Sequence, residues 1–171
     1  MMTPQISANA NLHPLRNPIA AITAGGHTPD FLVFRLGGEQ FGVDFQHVVE
    51  IRHFSAATPI SNVPGYIKGV VNFRGHIAPV VDMRLKFGLE PCVRDALTDT
   101  IFLEIEDRFV GLMVDGAATV VNLATQRIRP AREFMSVVDS DLIFGVAEFN
   151  GQLITLLDIE RLVHSPEIAL I

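Results

Sequence analysis

The sequence predicts a mainly β protein with two small five-stranded barrels packed side by side and a few short helices. Three observations support this fold class. The chain contains 13 Gly, 10 Pro and 49% hydrophobic residues, which favours short strands, many turns and a substantial core. Residues 69–88 read as strand, tight turn, strand and short helix. The same pattern returns at residues 145–163, at a constant offset of 76 without a gap.

The two copies separate structural positions from functional ones. Features kept in both copies are expected to be structural, and features present in only one copy are candidates for function. The apolar pattern repeats along both segments. The identical pairs are Gly69 with Gly145, Val70 with Val146, Phe73 with Phe149, Gly75 with Gly151, and Asp82 with Asp158.

The first copy is predicted to form a subdomain over residues of about 30–89. Gly37-Gly38 separates its first two strands, Asp82 is the predicted N-cap of its helix, and Gly88 ends that helix. Its predicted elements are strands over 31–36 and 39–44, a helical turn within 45–50, an extended segment to residue 53, a helical turn over 65–68, a hairpin of 70–73 with 77–81, and a helix ending at residue 87.

The second copy is predicted over about 99–164, after a polar connection at 90–99. It restarts the pattern of strand, turn and strand at an offset near 70, with a gap or two. The segment 125–133 around Pro130 is predicted to be irregular. The predicted elements are strands over 100–105, 109–116 and 120–121, a turn over 106–108, a hairpin of 142–149 with 152–157, and a helix that Asp158 caps and that ends at residue 163.

The composition indicates a cytoplasmic protein. Residues 1–29 carry almost no charge and are predicted to be a disordered tail ahead of a folded unit over 30–171. The net charge of −6 argues against a nucleic-acid binder. No apolar run approaches the roughly 18 residues of a membrane helix, so no membrane insertion is expected. Cys92 is the single cysteine and cannot form an internal disulfide.

The sequence offers little catalytic chemistry. It lacks G-x-S-x-G, H-E-x-x-H, C-x-x-C and a phosphate-cradling glycine loop, and its six histidines show no ligand spacing, so neither a cofactor nor a metal is expected. Asp82, Asp115 and Asp158 leave open a small hydrolase or ligand-binding barrel. The preferred interpretation is structural, with Asp82 and Asp158 capping helices and Asp115 forming a turn.

Two residues of the first hairpin are not repeated. The second hairpin turns at Asn150-Gly151, the favoured pair for a type I′ turn, whereas the first has Arg74 in the place of Asn150. Arg74 therefore either projects toward a partner or is a tolerated surface residue in another turn type. Asn72, whose matching residue in the second copy is Glu148, either orders the turn by bonding the backbone or contacts a partner beside Arg74.

Apolar residues also crowd near the predicted strand ends. They would line the seam between the barrels, which is either filled or leaves an apolar groove suited to a partner helix. These residues are Val43, Val48, Ile51, Val63, Ile67, Val114, Val120 and Val121.

The motifs resemble those of the CheW family, the adaptors of bacterial chemotaxis arrays. The resemblance runs from about residue 31 to the C-terminus and is strongest at 68–88, KGVVNFRGHIAPVVDMRLKFG. Supporting pieces are FLVFRLGGEQFGVD, VVEIR, VGLMVDG and IRPA, in the family's order. Phe73 stands where the family usually has Leu, and the family pattern does not require the N-terminal extension.

This resemblance implies two intertwined SH3-like barrels, no catalysis, and a scaffold that couples a CheA-type histidine kinase to chemoreceptors. The implied partners are the regulatory domain of the kinase and the cytoplasmic tips of methyl-accepting chemoreceptors. The alternative is a related coupler in twitching motility or surface sensing. The residues implied to bind the receptor are Arg74, Asn72, Gly69, Val48 and Gly116, and the residue implied to bind the kinase is Glu50.

Overall fold

The computed structural model describes residues 29–53, 56–90, 98–124, 127–131 and 140–171. Cys92 and all of the predicted tail except Pro29 lie outside these ranges. The strands are β1 (Asp30–Leu36), β2 (Glu39–Asp44), β3 (Val48–His53), β4 (Ile67–Phe73), β5 (His76–Asp82), β6 (Asp99–Ile105), β7 (Arg108–Val114), β8 (Gly116–Asn122), β9 (Ile128–Pro130), β10 (Ile143–Phe149) and β11 (Gln152–Leu157). The helices are α1 (Met83–Lys86), α2 (Ile159–Val163) and α3 (Pro166–Ala169), with 3₁₀ turns at Phe45–His47 and Ser140–Leu142.

The strands form two sheets, and each sheet takes strands from both copies of the repeat. The six-stranded sheet has the order β8-β1-β2-β11-β10-β9, and the five-stranded sheet has the order β3-β6-β7-β5-β4. Equivalent parallel pairings, β11 with β2 and β5 with β7, occupy the middle of each sheet. The prediction of a mainly β fold in two parts is confirmed, and the boundary between the copies near residues 89–99 is not a boundary between the sheets.

The main core cluster contains side chains from both sheets. Leu32 and Phe34 of β1 belong to the same buried cluster as Ile101 and Leu103 of β6. This burial of apolar surface is the principal force that holds the two sheets together. Of the residues predicted to line the seam, Val43, Ile67, Val114 and Val121 are buried, Val48 and Val63 are partly buried, and Ile51 and Val120 are exposed. The filled-seam interpretation therefore holds for Val43, Ile67 and Val114, which belong to the main core cluster, whereas Val121 packs in a second cluster whose strand residues all belong to the six-stranded sheet.

Both predicted helix caps are present. The Asp82 carboxylate accepts hydrogen bonds from the backbone of Arg84 at 3.0 Å and Leu85 at 3.4 Å. The Asp158 carboxylate accepts one from the backbone of Arg161 at 3.2 Å. Because a short helix leaves its first N–H groups without backbone partners, these carboxylates define where α1 and α2 begin.

Three local predictions need correction. The helical turn expected over 65–68 is wrong, because β4 begins at Ile67, whose N–H closes a turn onto the Pro64 carbonyl at 3.0 Å. The segment around Pro130 is not wholly irregular, since β9 adds to β10 and gives that sheet its sixth strand. Helix α3 was not predicted, although Pro166 stands at its start, a position that proline favours.

Candidate functional site

The first hairpin holds Arg74 in a strained backbone conformation at an exposed tip. Arg74 has φ +51° and Gly75 has φ +83°, nearly the values of Asn150 (+51°) and Gly151 (+76°) in the second hairpin. Both tips thus have the positive φ pair that a type I′ turn requires. The Arg74 side chain is 56% exposed. An arginine therefore occupies a position that asparagine would fill at lower cost.

Asn72 orders this turn. Its side-chain oxygen accepts a hydrogen bond of 2.9 Å from the Gly75 backbone N–H. This observation confirms the structural interpretation of Asn72. The residue is also exposed, and its cross-strand neighbour Ile77 is 62% exposed, so the hairpin presents a polar and an apolar side chain opposite each other.

Glu50 of β3 lies between two arginines at this hairpin. Its carboxylate is 3.0 Å from Arg52 and 3.9 Å from Arg74. The hydrogen bond from Arg52 is the main reason that the pKa of Glu50 lies below its ordinary value. Burial opposes it as the next largest effect, and the charges of Arg52 and then Arg74 lower the pKa further. The predicted kinase contact and the predicted receptor contact therefore belong to one cluster.

An aromatic base supports both arginines. The rings of Phe73 and Phe102 stack at 4.3 Å, and Phe109 packs 5.2 Å from Phe73. The Arg52 guanidinium lies 4.9 Å from the Phe73 ring centre, and the Arg74 guanidinium lies 5.2 Å from it. Such cation–π contacts orient the cations without neutralising them. Sequence reasoning missed Arg52, although it stands two residues after Glu50 on the same face of a strand.

Gly69 has a structural reason to be glycine. Its φ is +140°, and a Cβ there would come within 2.0 Å of the Thr58 carbonyl oxygen. That oxygen accepts a hydrogen bond of 2.9 Å from the Val70 backbone, so the neighbouring segment must pass this close. Gly145 shows a milder form of this close approach, with a Cβ 3.0 Å from the Arg129 carbonyl oxygen and without the positive φ of Gly69. Gly69 is buried, so it supports the hairpin from within the fold.

The remaining candidates lie elsewhere in the fold. Val48 begins β3 and is partly buried against the main core. Gly116 begins β8 and is half-buried, opposite Arg35 of β1. The six-stranded sheet thus holds Gly116, whereas the five-stranded sheet and its hairpin hold the other candidates. The structure brings Glu50, Asn72 and Arg74 to one hairpin and leaves Gly116 on the other sheet.

The three aspartates of the hydrolase alternative have structural partners. Asp82 and Asp158 cap helices, as described above. Asp115 does more than the predicted turn formation, because its carboxylate accepts hydrogen bonds from the buried Arg84 side chain and from the Gly37 backbone. Within the described ranges, no group of three His, Cys, Asp or Glu side chains could hold a metal ion. Over the same residues, no helix has the length and apolarity to span a membrane.

The structure defines a duplicated β domain of two sheets. The two copies differ at the tip of one hairpin, where the first has Arg74 and the second has Asn150. Residues 30–167 match the profile of the CheW-like domain. The chain is 40% identical over 142 residues to the chemotaxis protein CheW of Klebsiella aerogenes, covering 83% of this chain and 86% of that protein. It is 31% identical over 156 residues to the chemotaxis protein CheW of Rhizobium meliloti, covering 90% and 97%.

A solved structure agrees with these matches. The scaffolding protein TtCheW of Thermoanaerobacter tengcongensis superposes with a TM-score of 0.75 at 26% identity, over 82% of this chain and 95% of that one. The chain therefore belongs to the CheW family. The predicted family and the predicted role as a chemotaxis adaptor are confirmed, and a coupler of twitching or surface sensing is not favoured.

Proposed function

We propose that the chain is a non-catalytic cytoplasmic adaptor that couples a CheA-type histidine kinase to the cytoplasmic tips of methyl-accepting chemoreceptors. The observation that carries this proposal is Arg74, an exposed cation in a strained backbone conformation. Both hairpins have this turn, but only the first has an arginine in it. A residue that the fold does not need at this position is best explained by contact with a partner.

The receptor surface centres on the first hairpin. Arg74 supplies a charged group at the tip, and Asn72 both orders the turn and presents an exposed amide. Gly69 contributes by letting the Thr58 segment close against the hairpin. Val48, at the start of β3, and Gly116, at the start of β8, complete the proposed surface. A helical receptor tip offers polar and apolar groups along one face, which suits this combination.

The kinase contact is assigned to Glu50, beside the receptor surface. Additional support comes from exposed apolar residues that are related by the repeat. Ile77 and Leu153, offset by 76, are 62% and 59% exposed, and Ile51 and Val120, opposite Ile101 and Leu32, are each 43% exposed. Equivalent exposed apolar residues on both sheets suit a partner with the same duplicated fold, as the kinase regulatory domain would have.

The overall charge agrees with protein partners. A net charge of −6 disfavours nucleic acid, and the adaptor is proposed to reach the membrane only through the receptors. No step of this function needs a cofactor or a bound metal.

Co-sedimentation tests the proposal directly. Receptor cytoplasmic fragments are assembled on vesicles with the purified kinase, with and without this chain. The kinase is expected to sediment with the receptors, and to respond to receptor ligand, only when the chain is present. Equal sedimentation of the kinase without the chain, or binding of the chain to neither partner, would show that the proposed coupling is wrong.

A further inference from the structure

An ion pair between a buried arginine and a partly buried aspartate connects the two sheets. Arg84 lies in α1 with its side chain only 4% exposed, and its guanidinium donates a hydrogen bond to the Asp115 carboxylate. The other oxygen of Asp115 accepts from the Gly37 backbone N–H, and the Asp115 N–H donates to the Arg35 carbonyl at 3.0 Å. Arg84 and Asp115 are called the inter-sheet clamp.

The position of the clamp in the topology is informative. Helix α1 follows β5 of the five-stranded sheet, and Gly37 lies in the turn between β1 and β2 of the six-stranded sheet. Asp115 is the single residue between β7 and β8, where the chain passes from one sheet to the other. A continuous path of hydrogen bonds thus crosses from one sheet to the other at this residue.

The second copy makes the equivalent crossing in a weaker way. The residue that matches Arg84 is Glu160, whose acidic side chain cannot replace the guanidinium in a pair with a carboxylate. Instead, His164 after α2 lies 3.1 Å from the Glu106 carboxylate in the turn between β6 and β7, with both side chains about half exposed or more. Exposed pairs of this kind contribute little, so the buried clamp is the stronger of the two crossings.

The residue after Asp115 is Gly116, the predicted receptor contact that lies apart from the others. We propose that Arg84 and Asp115 are positioning residues that hold Gly116 in a fixed place relative to Val48 and the Arg74 hairpin. This inference rests on the proposed function. It implies that the receptor contacts residues of both sheets at the same time. Displacement of one sheet by a small distance would then weaken receptor binding without removing any contact residue.

The test needs variants that fold. Arg84→Ala would leave Asp82 and Asp115 without their shared cation, so two other variants are used. Asp115→Asn keeps the size of the side chain and removes its charge and one acceptor oxygen. The pair Arg84→Gln with Asp115→Asn removes both charges together, so that no unpaired charge remains between Arg84 and Asp115. Spin labels at Glu104 of β6 and Glu148 of β10, both exposed, report the distance between the sheets. Cys92 is replaced by Ser so that only these two positions are labelled.

The distance distribution between the labels is expected to broaden or shift in both variants, and affinity for the receptor fragment is expected to fall about tenfold. Affinity for the kinase regulatory domain is expected to fall less than affinity for the receptor, because Glu50 lies within one sheet and only the exposed apolar residues of the other sheet would be displaced. An unchanged distance distribution would overturn the inference, as would unchanged receptor affinity despite a shifted distribution. An equal loss of both affinities would also overturn it, since general destabilisation would then explain the result.

Arg74→Ala separates this inference from the proposed function. It is expected to reduce receptor affinity with no change in the distance between the labels. If the wild-type chain does not bind the receptor fragment, the proposed function fails and the positioning role of the clamp fails with it. The distance measurement would then still show whether the clamp fixes the sheets.

Discussion

The guanidinium of Arg74 lies 3.9 Å from the carboxylate of Glu50, while Arg52 holds the same carboxylate at 3.0 Å. Glu50 therefore has a closer partner than Arg74, and Arg74 retains most of its capacity to bind an external group. Because exposed ion pairs are weak, the contact between Arg74 and Glu50 orients the arginine more than it stabilises the fold. The residues predicted for receptor and kinase thus share one surface, which allows binding of one partner to influence the other.

Exchange of the two turn residues measures what Arg74 does for the fold. Arg74→Asn removes backbone strain of about 1 kcal/mol and loses a cation–π contact of about 0.5 kcal/mol, so the free energy of unfolding should rise by about 0.5 kcal/mol. The matched variant Asn150→Arg introduces the same strain in the second hairpin and should destabilise by about 0.5 to 1 kcal/mol. Urea unfolding midpoints measure both changes. A larger loss for Arg74→Asn than for Asn150→Arg would mean that Arg74 is structural.

The pKa of Glu50 should depend more on Arg52 than on Arg74. The Arg52 hydrogen bond is the largest cause of the lowered pKa, so Arg52→Met should raise this pKa more than Arg74→Ala does. Carbon-detected NMR titration of the Glu50 side chain measures both shifts. Equal shifts, or a larger shift for Arg74→Ala, would contradict the geometry of the cluster.

The direction of the pH dependence follows from the same shift. The pKa of Glu50 is lower in the folded chain than its ordinary value of 4.5, so the unfolded chain binds the proton more readily. The contribution of Glu50 to stability is then complete above pH 4.5 and is lost as the pH falls through the lower folded value. The free energies of unfolding of the wild type and of Glu50→Gln should therefore converge as the pH falls below 4.5. Thermal unfolding at several pH values measures this convergence.

Gly69→Ala should be strongly destabilising. The added Cβ would overlap the Thr58 carbonyl, and the positive φ of Gly69 disfavours any side chain, so a loss of about 3 kcal/mol or more is expected. Gly65→Ala is the matched control, because a Cβ at Gly65 meets nothing within 4 Å, and its effect should stay within about 0.5 kcal/mol. Chemical denaturation compares the two. A mild effect at Gly69 would show that the Thr58 segment can move away from the hairpin.

Local features of the fold were readable from the sequence because their causes lie within a few residues. Asp82 and Asp158 cap helices through their own next turn, and the hairpin at Arg74-Gly75 follows from turn chemistry. The repeat made these predictions stronger, because the same turn and the same cap are expected at matching positions of both copies. Arg74 and Asn72 stood out for the same reason, as the positions where the copies differ.

The features that the sequence could not indicate depend on distant pairing. Exchange of strands between the sheets leaves no local pattern, because a strand has the same alternation whichever sheet it joins, and only the family resemblance implied it. Strand β9 has three residues and exists through its pairing with β10. Arg84 and Asp115 are 31 residues apart, so their contact could not be inferred from spacing. Turn chemistry alone likewise does not distinguish the helical turn expected over 65–68 from the start of a strand.

Affinity for a receptor tip fragment tests the central claim most directly, measured for wild type, Arg74→Asn and Asn150→Arg. Arg74→Asn keeps a good turn residue and removes only the cation, so its affinity should fall about tenfold or more, as expected for an arginine central to an interface. Asn150→Arg places the same change on the other hairpin and should leave affinity near that of the wild type. Wild-type affinity in Arg74→Asn, with the protein folded, would contradict the assignment of this hairpin as the receptor contact.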